Sequence, residues 1–89
     1  MKITDIKIRK KFDEGNLKAI VSITLDDEFA LHDIKIISNE KKVFLSMPSR
    51  TIKENQYQDI AHPTSKKFRD YIEKTILSKY YKEVIENHM

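Results

Sequence analysis

Residues 17–25 read LKAIVSITL, and this stretch decides the fold class. Successive side chains of an extended chain point to opposite faces. Leu17, Ala19, Val21, Ile23 and Leu25 therefore share one side, with Lys18, Ser22 and Thr24 mostly on the other, which is the pattern of a half-buried strand. Toward the N-terminus, Asp13-Glu14-Gly15-Asn16 contains the only glycine of the chain and reads as a hairpin turn. Before it, residues 2–11 alternate, with Ile3, Ile6 and Ile8 set among Lys, Thr, Asp and Arg, and give a strand with one wet face.

Toward the C-terminus, Asp26-Asp27-Glu28 turns the chain into FALHDIKIIS, a third strand over about residues 28–38. Ala30, His32, Ile34 and Ile36 would share one face while Phe29, Leu31 and Asp33 share the other. That mixed pattern predicts a bulge or a short helical turn near residues 30–34. Asn39–Lys42 is the next turn, and VFLSM supplies a fourth strand over about 42–47, ended by Pro48, which cannot donate to a ladder. SRTIKENQ, residues 49–56, lacks an apolar period and reads as an exposed loop before a short fifth strand at about 57–61.

Residues 65–86 favour helix throughout: no Gly or Pro intervenes, and Phe68, Ile72, Ile76, Tyr80 and Val84 recur every four residues. The expected class is α+β, a small antiparallel sheet of about five strands followed by a long C-terminal helix, in a single domain over residues 1–89. Phe68, Tyr71, Ile72 and Ile76 lie on one side of that helix, whereas Leu77, Tyr81, Val84 and Ile85 lie roughly opposite. One sheet cannot cover both. The second half of the helix is thus expected to meet a second copy of the chain, with Leu77, Tyr80, Tyr81, Val84 and Ile85 at a homodimer interface. The competing reading is a break near Ser78 that folds the end back.

With 89 residues, 39% of them hydrophobic and 35% charged, the chain is globular but has material for only a thin core, so self-association would help it. The absence of cysteine excludes a disulfide scaffold and a thiolate nucleophile and agrees with a cytoplasmic location. No apolar run approaches the roughly 20 residues needed to span a bilayer, and MKITDIKIRKKF lacks the apolar core of an export signal, so no membrane association is expected. Net charge is a mild +3. Its distribution says more: Lys2, Lys7, Arg9, Lys10 and Lys11 face Asp5 alone within the first eleven residues, while Asp26, Asp27 and Glu28 form an acidic knot. A basic side facing an anionic partner follows.

Catalytic constellations are thin. His32 and Asp33 are adjacent, and neighbours in a strand point apart, so a histidine hydrogen-bonded within the sheet is the better reading. His62 precedes Pro63 and is held extended, a bridge between strand and helix. His32, His62 and His88 lack the spacing of a zinc site, and the acidic knot lacks the spaced oxygens and glycine of a calcium loop. A chain with one glycine cannot build a glycine-rich phosphate loop. No enzymatic activity, cofactor, metal or small-molecule substrate is expected.

The basic residues survive this pruning. DIAHPTSKKFRDYI, residues 59–72, announces a helix start with Pro63, Thr64 and Ser65, yet Lys66, Lys67 and Arg69 follow at once. The N–H groups of a helix N-terminus carry about half a positive charge, which carboxylates complement and cations do not. Free backbone N–H groups, the Thr64 and Ser65 hydroxyls and the three cations are the parts of a phosphate site. Arg50 and Lys53 in the polar loop, and Arg9 to Lys11 at the end of the first strand, would extend that surface.

ITDIKIRK, AIVSITLDDEFALHDIKII, VFLSMPSR and YQDIAHP leading into the helix resemble, in order and spacing, the SpoVG family of bacterial septation proteins over roughly residues 1–82. The most specific pieces are LDDEFALHDIKI, MPSR at 47–50 and DIAHP at 59–63. The resemblance implies a small sheet with a long C-terminal helix, a homodimer and no enzymatic activity. It also implies a regulator that binds DNA, and in some members RNA, linked to septation, sporulation and gene control. Carried onto this chain, the sequence-reading residues would be Lys66, Lys67 and Arg69 after the His-Pro pair, with Arg50 as the basic residue of MPSR. The stretch TSKKFR departs from other family sequences where binding choice would be set. A protein–protein adaptor in septum assembly, docking through a sheet edge or Tyr80-Tyr81, is the alternative.

Overall fold

The computed structural model describes residues 1–87, with side chains through Val84. Six strands precede one helix: β1 (Ile3–Lys11), β2 (Leu17–Leu25), β3 (Phe29–Ser38), β4 (Val43–Ser46), β5 (Ser49–Lys53), β6 (Gln56–Asp59) and α1 (Lys66–Asn87). β1 to β4 form an antiparallel meander in sequence order, and β5 pairs with β6 as a separate two-stranded sheet. The class is α+β, as expected. The sheet has four strands rather than about five, because residues 49–56 are not a loop: Ser49–Lys53 pairs with Gln56–Asp59 through a Glu54-Asn55 turn. Asn55 takes a positive φ of 61°, which Asn tolerates in tight turns. The polar strand escaped an apolar-period reading because every residue of β5 and β6 is exposed.

Bulges keep the meander in phase. Ile3 and Ile6 are three residues apart, which would put them on opposite faces of a regular strand; a register shift between Ile3 and Asp5 inserts Thr4 and returns both to the same face. β3 does the same at His32-Asp33, where the pairing steps from Val21↔Ile34 to Ile23↔Leu31 and Asp33 adopts a φ of 63°. The irregularity expected at residues 30–34 is thus a bulge, and it lets Leu31 and Ile34 face the same layer. Asp26 and Asp27, with φ of 52° and 56°, make the β2–β3 turn closed by the Glu28 N–H to the Leu25 carbonyl at 3.0 Å.

α1 covers one face of the sheet. Ala19, Val21, Ile23, Leu25, Ile34, Ile36, Leu45 and Met47 from the sheet side meet Ile72 and Ile76 of the helix in one buried cluster. Burying an isoleucine fully is worth about 1.5–3 kcal/mol, so Ile72 and Ile76 are its main anchors on the sheet. A hydrogen bond from the Ile3 N–H to the Tyr71 hydroxyl (2.9 Å) and an ion pair between Lys11 and Glu83 (3.4 Å) tie the two ends of β1 to successive parts of α1. The helix continues through Ser78 without a break. Leu77 and Tyr80 pack against the chain's own core, Tyr81 is 45% exposed and Val84 is half-buried; the Ile85 side chain lies outside the described residues.

Buried and exposed layers should respond differently to substitution. Ile76→Ala should cost about 2–5 kcal/mol in urea unfolding, whereas Ile52→Ser with Tyr57→Ser in the exposed β5–β6 pair should stay within about 0.5 kcal/mol of the parent. The Tyr80 hydroxyl is held above its ordinary pKa of 10.0, first by burial and then by the neighbouring Tyr81 and Asp13. Its contribution is intact below that ordinary value and is lost as pH rises through it toward the folded-state value. Tyr80→Phe should therefore flatten the loss of stability above about pH 10 in a pH series of denaturation midpoints.

Candidate nucleic-acid interface

The first turn of α1 is built by capping. The Ser65 hydroxyl accepts a hydrogen bond from the Phe68 N–H (3.1 Å), and the Ser65 carbonyl accepts the first helical bond from the Arg69 N–H (3.1 Å). The Lys66 and Lys67 amides precede any intrahelical acceptor and point out of the helix end. No acidic residue stands in that first turn. Ser65 thus spends its acceptor on the helix itself, while its hydroxyl hydrogen stays available as a donor.

The cations differ in their surroundings. Lys66 reaches Asp70 at 3.5 Å and Arg69 reaches Glu73 at 3.8 Å, both one turn on. These exposed pairs run with the cation N-terminal to the carboxylate, the weaker order on a helix, and such pairs contribute only a few tenths of a kcal/mol. The misfit of Lys66 and Arg69 with the dipole is therefore partly offset by the carboxylates of Asp70 and Glu73. Lys67 makes no ion pair among the described residues. It borders an open groove of roughly 500 Å³ with Met1, Lys2, Ser65, Phe68 and Tyr71.

Phe68 and Tyr71 floor this groove as a stacked pair, with ring centroids 5.8 Å apart and planes 25° from parallel. Lys2 enters because the start of β1 is fastened beside the helix: the Ile3 N–H bonds Tyr71, and the Lys2 N–H and carbonyl both bond Asp26, at 3.0 Å to its carboxylate and 2.8 Å from its N–H. The acidic knot is a turn, and it pins the backbone of Lys2 while leaving that side chain to the groove. Cations, free amides and hydroxyls around an apolar aromatic floor can take a phosphate with its attached sugar or base.

The remaining candidates lie elsewhere. Arg50 sits across from Gln58 at the base of the β5–β6 pair and lines a separate cleft with Gln58, Asp59 and Ile60; Lys53 is at the far end of β5. No hydrogen bond or ion pair among the described residues joins either to the helix start. Arg9, Lys10 and Lys11 do not extend this surface. Lys11 pairs with Glu83 near the other end of α1, Arg9 donates to the Ser22 hydroxyl (3.3 Å), and the Lys10 ammonium lies 5.1 Å from the centre of the Phe12 ring. The strand carries them away from the helix start. His32 shares a 2.9 Å hydrogen bond with Ser22, in keeping with a histidine bonded within the sheet, and His62 bonds the Pro63 carbonyl at 3.2 Å. Among the described residues, no group of three or more His, Asp or Glu is placed to hold a metal, and no helix is long and apolar enough to cross a membrane.

Lys2, Phe68 and Tyr71 line this groove without having stood among the candidates read from the sequence. Phe68 and Tyr71 read as core by their spacing, and the neighbourhood of Lys2 and Lys67 depends on a contact between opposite ends of the chain.

Comparison with known proteins places the chain among relatives. The family model described as SpoVG matches residues 1–82. The chain is 54% identical over 84 residues to a protein of Agathobacter rectalis, covering 94% of this chain and 97% of that one. It is 50% identical over 82 residues to one from Lachnospira eligens, covering 92% and 93%. A Lachnoclostridium phytofermentans protein is 48% identical over 89 residues, covering 100% and 96%. All three relatives are provisionally named septation protein SpoVG.

Removing the clamp should register in stability. Tyr71→Phe leaves the Ile3 N–H without its partner, with an expected cost of about 1 kcal/mol in chemical denaturation and faster hydrogen exchange at Ile3.

Proposed function

The chain belongs to the SpoVG family, and on that premise we propose that it is a dimeric, non-catalytic regulator of the cytoplasm that binds nucleic acid in connection with septation. The observation that carries this reading is the first turn of α1, which holds Lys66 and Lys67 with no acidic residue and opens onto the Lys2–Phe68–Tyr71 groove. An anion at this end would gain the helix dipole, two free amides and several ammonium groups at once. DNA phosphates supply that anion, with RNA as a related ligand. Arg69, on the next part of the turn, is positioned toward base edges if the helix start enters a major groove.

Thr64 and Ser65 hydroxyls add phosphate donors, and Arg50 and Lys53 on the projecting β5–β6 pair would touch the backbone farther along. A homodimer doubles the helix starts, as a two-fold-symmetric operator requires. Its interface centres on Tyr81 and Val84, in the part of α1 that the sheet leaves partly open, with the outer edges of Leu77 and Tyr80, which also pack on the chain's own core, beside them.

A second reading, a protein–protein adaptor of septum assembly, is favoured by one observation. The β5–β6 pair is exposed along its whole length and presents Ile52 (53% exposed), Tyr57 (69%) and nearby Ile60 (67%) to solvent. An isolated two-stranded hairpin is marginal in water, so a partner over these residues would stabilise it.

The decisive measurement is duplex binding by the triple variant Lys66→Ala, Lys67→Ala, Arg69→Ala at two salt concentrations. Each lost phosphate contact should weaken binding and reduce the slope of log affinity against log salt by about 1. Unchanged affinity in a folded variant would eliminate the helix start as the site. Failure of the parent protein to bind any duplex or single strand at low salt would leave the adaptor reading standing.

A further inference from the structure

The basic run of β1, which the helix-start groove does not use, stands on a face of the sheet that α1 does not cover. Antiparallel partners share a face, and the register aligns Lys10, Ile20, Lys35 and Ser46 in one transverse row, opposite the layer of Val21, Ile34 and Ile36. The next row brings Leu17, Ile37 and Phe44 together, and the preceding one sets Lys7 beside Ser22. Phe12 follows Lys11, which turns to the helix, and lies under Lys10 on the uncovered side. The Lys42 ammonium lies 5.5 Å from the centre of the Phe44 ring.

The chemistry of this face is specific. Ile20, Ile37, Phe12 and Phe44 are each only half-buried, and Lys7, Arg9, Lys10, Lys35 and Lys42 around them are exposed. Lys10 and Lys35 stand two strand spacings apart, about 10 Å, on either side of Ile20. Asp5 shares the face but at its other end, in the row with Thr24 and Ala30. The β5–β6 pair, exposed throughout, does not close it.

A second copy packed face to face would set these lysine rows against themselves, a like-charge arrangement that costs affinity. A duplex would satisfy the cations but hides its base faces. A ligand with negative charges at close intervals and exposed flat rings between them satisfies both the lysines and the phenylalanines. We propose that the uncovered sheet face is a binding surface for single-stranded nucleic acid, separate from the helix-start groove: Phe44 and Phe12 take unpaired bases, and Lys7, Arg9, Lys10, Lys35 and Lys42 take the phosphates.

The test is fluorescence anisotropy of the full chain with labelled oligo(dT), oligo(U) and a mixed-sequence duplex, with polyglutamate as competitor. Lys10→Glu with Lys35→Glu should weaken single-strand binding by about tenfold or more. Phe44→Leu keeps apolar bulk in place and should weaken it about fivefold or more with the melting temperature held. Lys66→Ala with Lys67→Ala should lower duplex binding by a larger factor than single-strand binding. Tighter binding of either oligonucleotide supports the surface, and the tighter one identifies the sugar it favours.

Parent-like single-strand affinity in both sheet variants overturns the proposal. So does displacement of the oligonucleotide by polyglutamate at equal charge, which would mark an acidic-peptide surface. Loss of self-association in the Lys10→Glu, Lys35→Glu variant would mark a subunit interface and equally overturn it. Failure of duplex binding alone bears on the helix start and not on this face.

Discussion

The docking of Ile72 and Ile76 onto the sheet is the contact on which the rest depends. Both are almost completely buried against residues of the meander, and they fix α1 along the direction of β1. Once that is set, the start of the helix must lie by the start of β1, with Tyr71 within hydrogen-bonding distance of the Ile3 N–H and Lys2 across the groove from Lys67. The same docking sends Lys11 to Glu83, a long way down the helix. A single apolar seam thereby separates the basic residues at the helix start from those at the far end of β1.

The bulges make that seam continuous. Without the extra residue at Thr4, Ile3 would leave the buried layer, and without the one at His32-Asp33, Leu31 would. Each bulge also re-aims a polar side chain: Thr4 accepts the Asp27 N–H at 2.9 Å, and His32 meets Ser22, which in turn accepts from Arg9. Among the described residues Ser22 is the one buried polar residue, and its two partners account for its hydroxyl. These local departures from a regular ladder hold the apolar face together and set which cations reach the opposite one.

Much of this was legible in the chain itself. The alternation of LKAIVSITL from Ala19 onward, the turn residues around it and the unbroken helical period after Ser65 are local signals, and the structure follows them; Leu17 departs, because the register shift between Leu17 and Ala19 turns it to the opposite face beside Ile37. The irregular FALHDIKIIS pattern announced a bulge or a helical turn because two incompatible alternations meet at His32 and Asp33, and the pairing with β2 decided for the bulge. The β5 strand was illegible because a hairpin exposed on both faces has no burial pattern to display. The charge pattern after Pro63 pointed to the helix start, and the i,i+4 geometry of the helix then sets Asp70 beside Lys66 and Glu73 beside Arg69.

By itself the sequence determined the four strands of the meander, the long helix and their order, a helix start at Pro63 to Ser65 and the resemblance to its family, since each depends on residues close together or on motifs read in order. Only the tertiary structure decided that Lys2 joins Lys67, that Phe68 and Tyr71 become the floor of a groove, and that Arg9 and Lys10 belong to another face. Those neighbourhoods depend on strand register and on where the helix crosses the sheet. Both are fixed by packing between residues as much as 68 positions apart, for which no local pattern carries a signal.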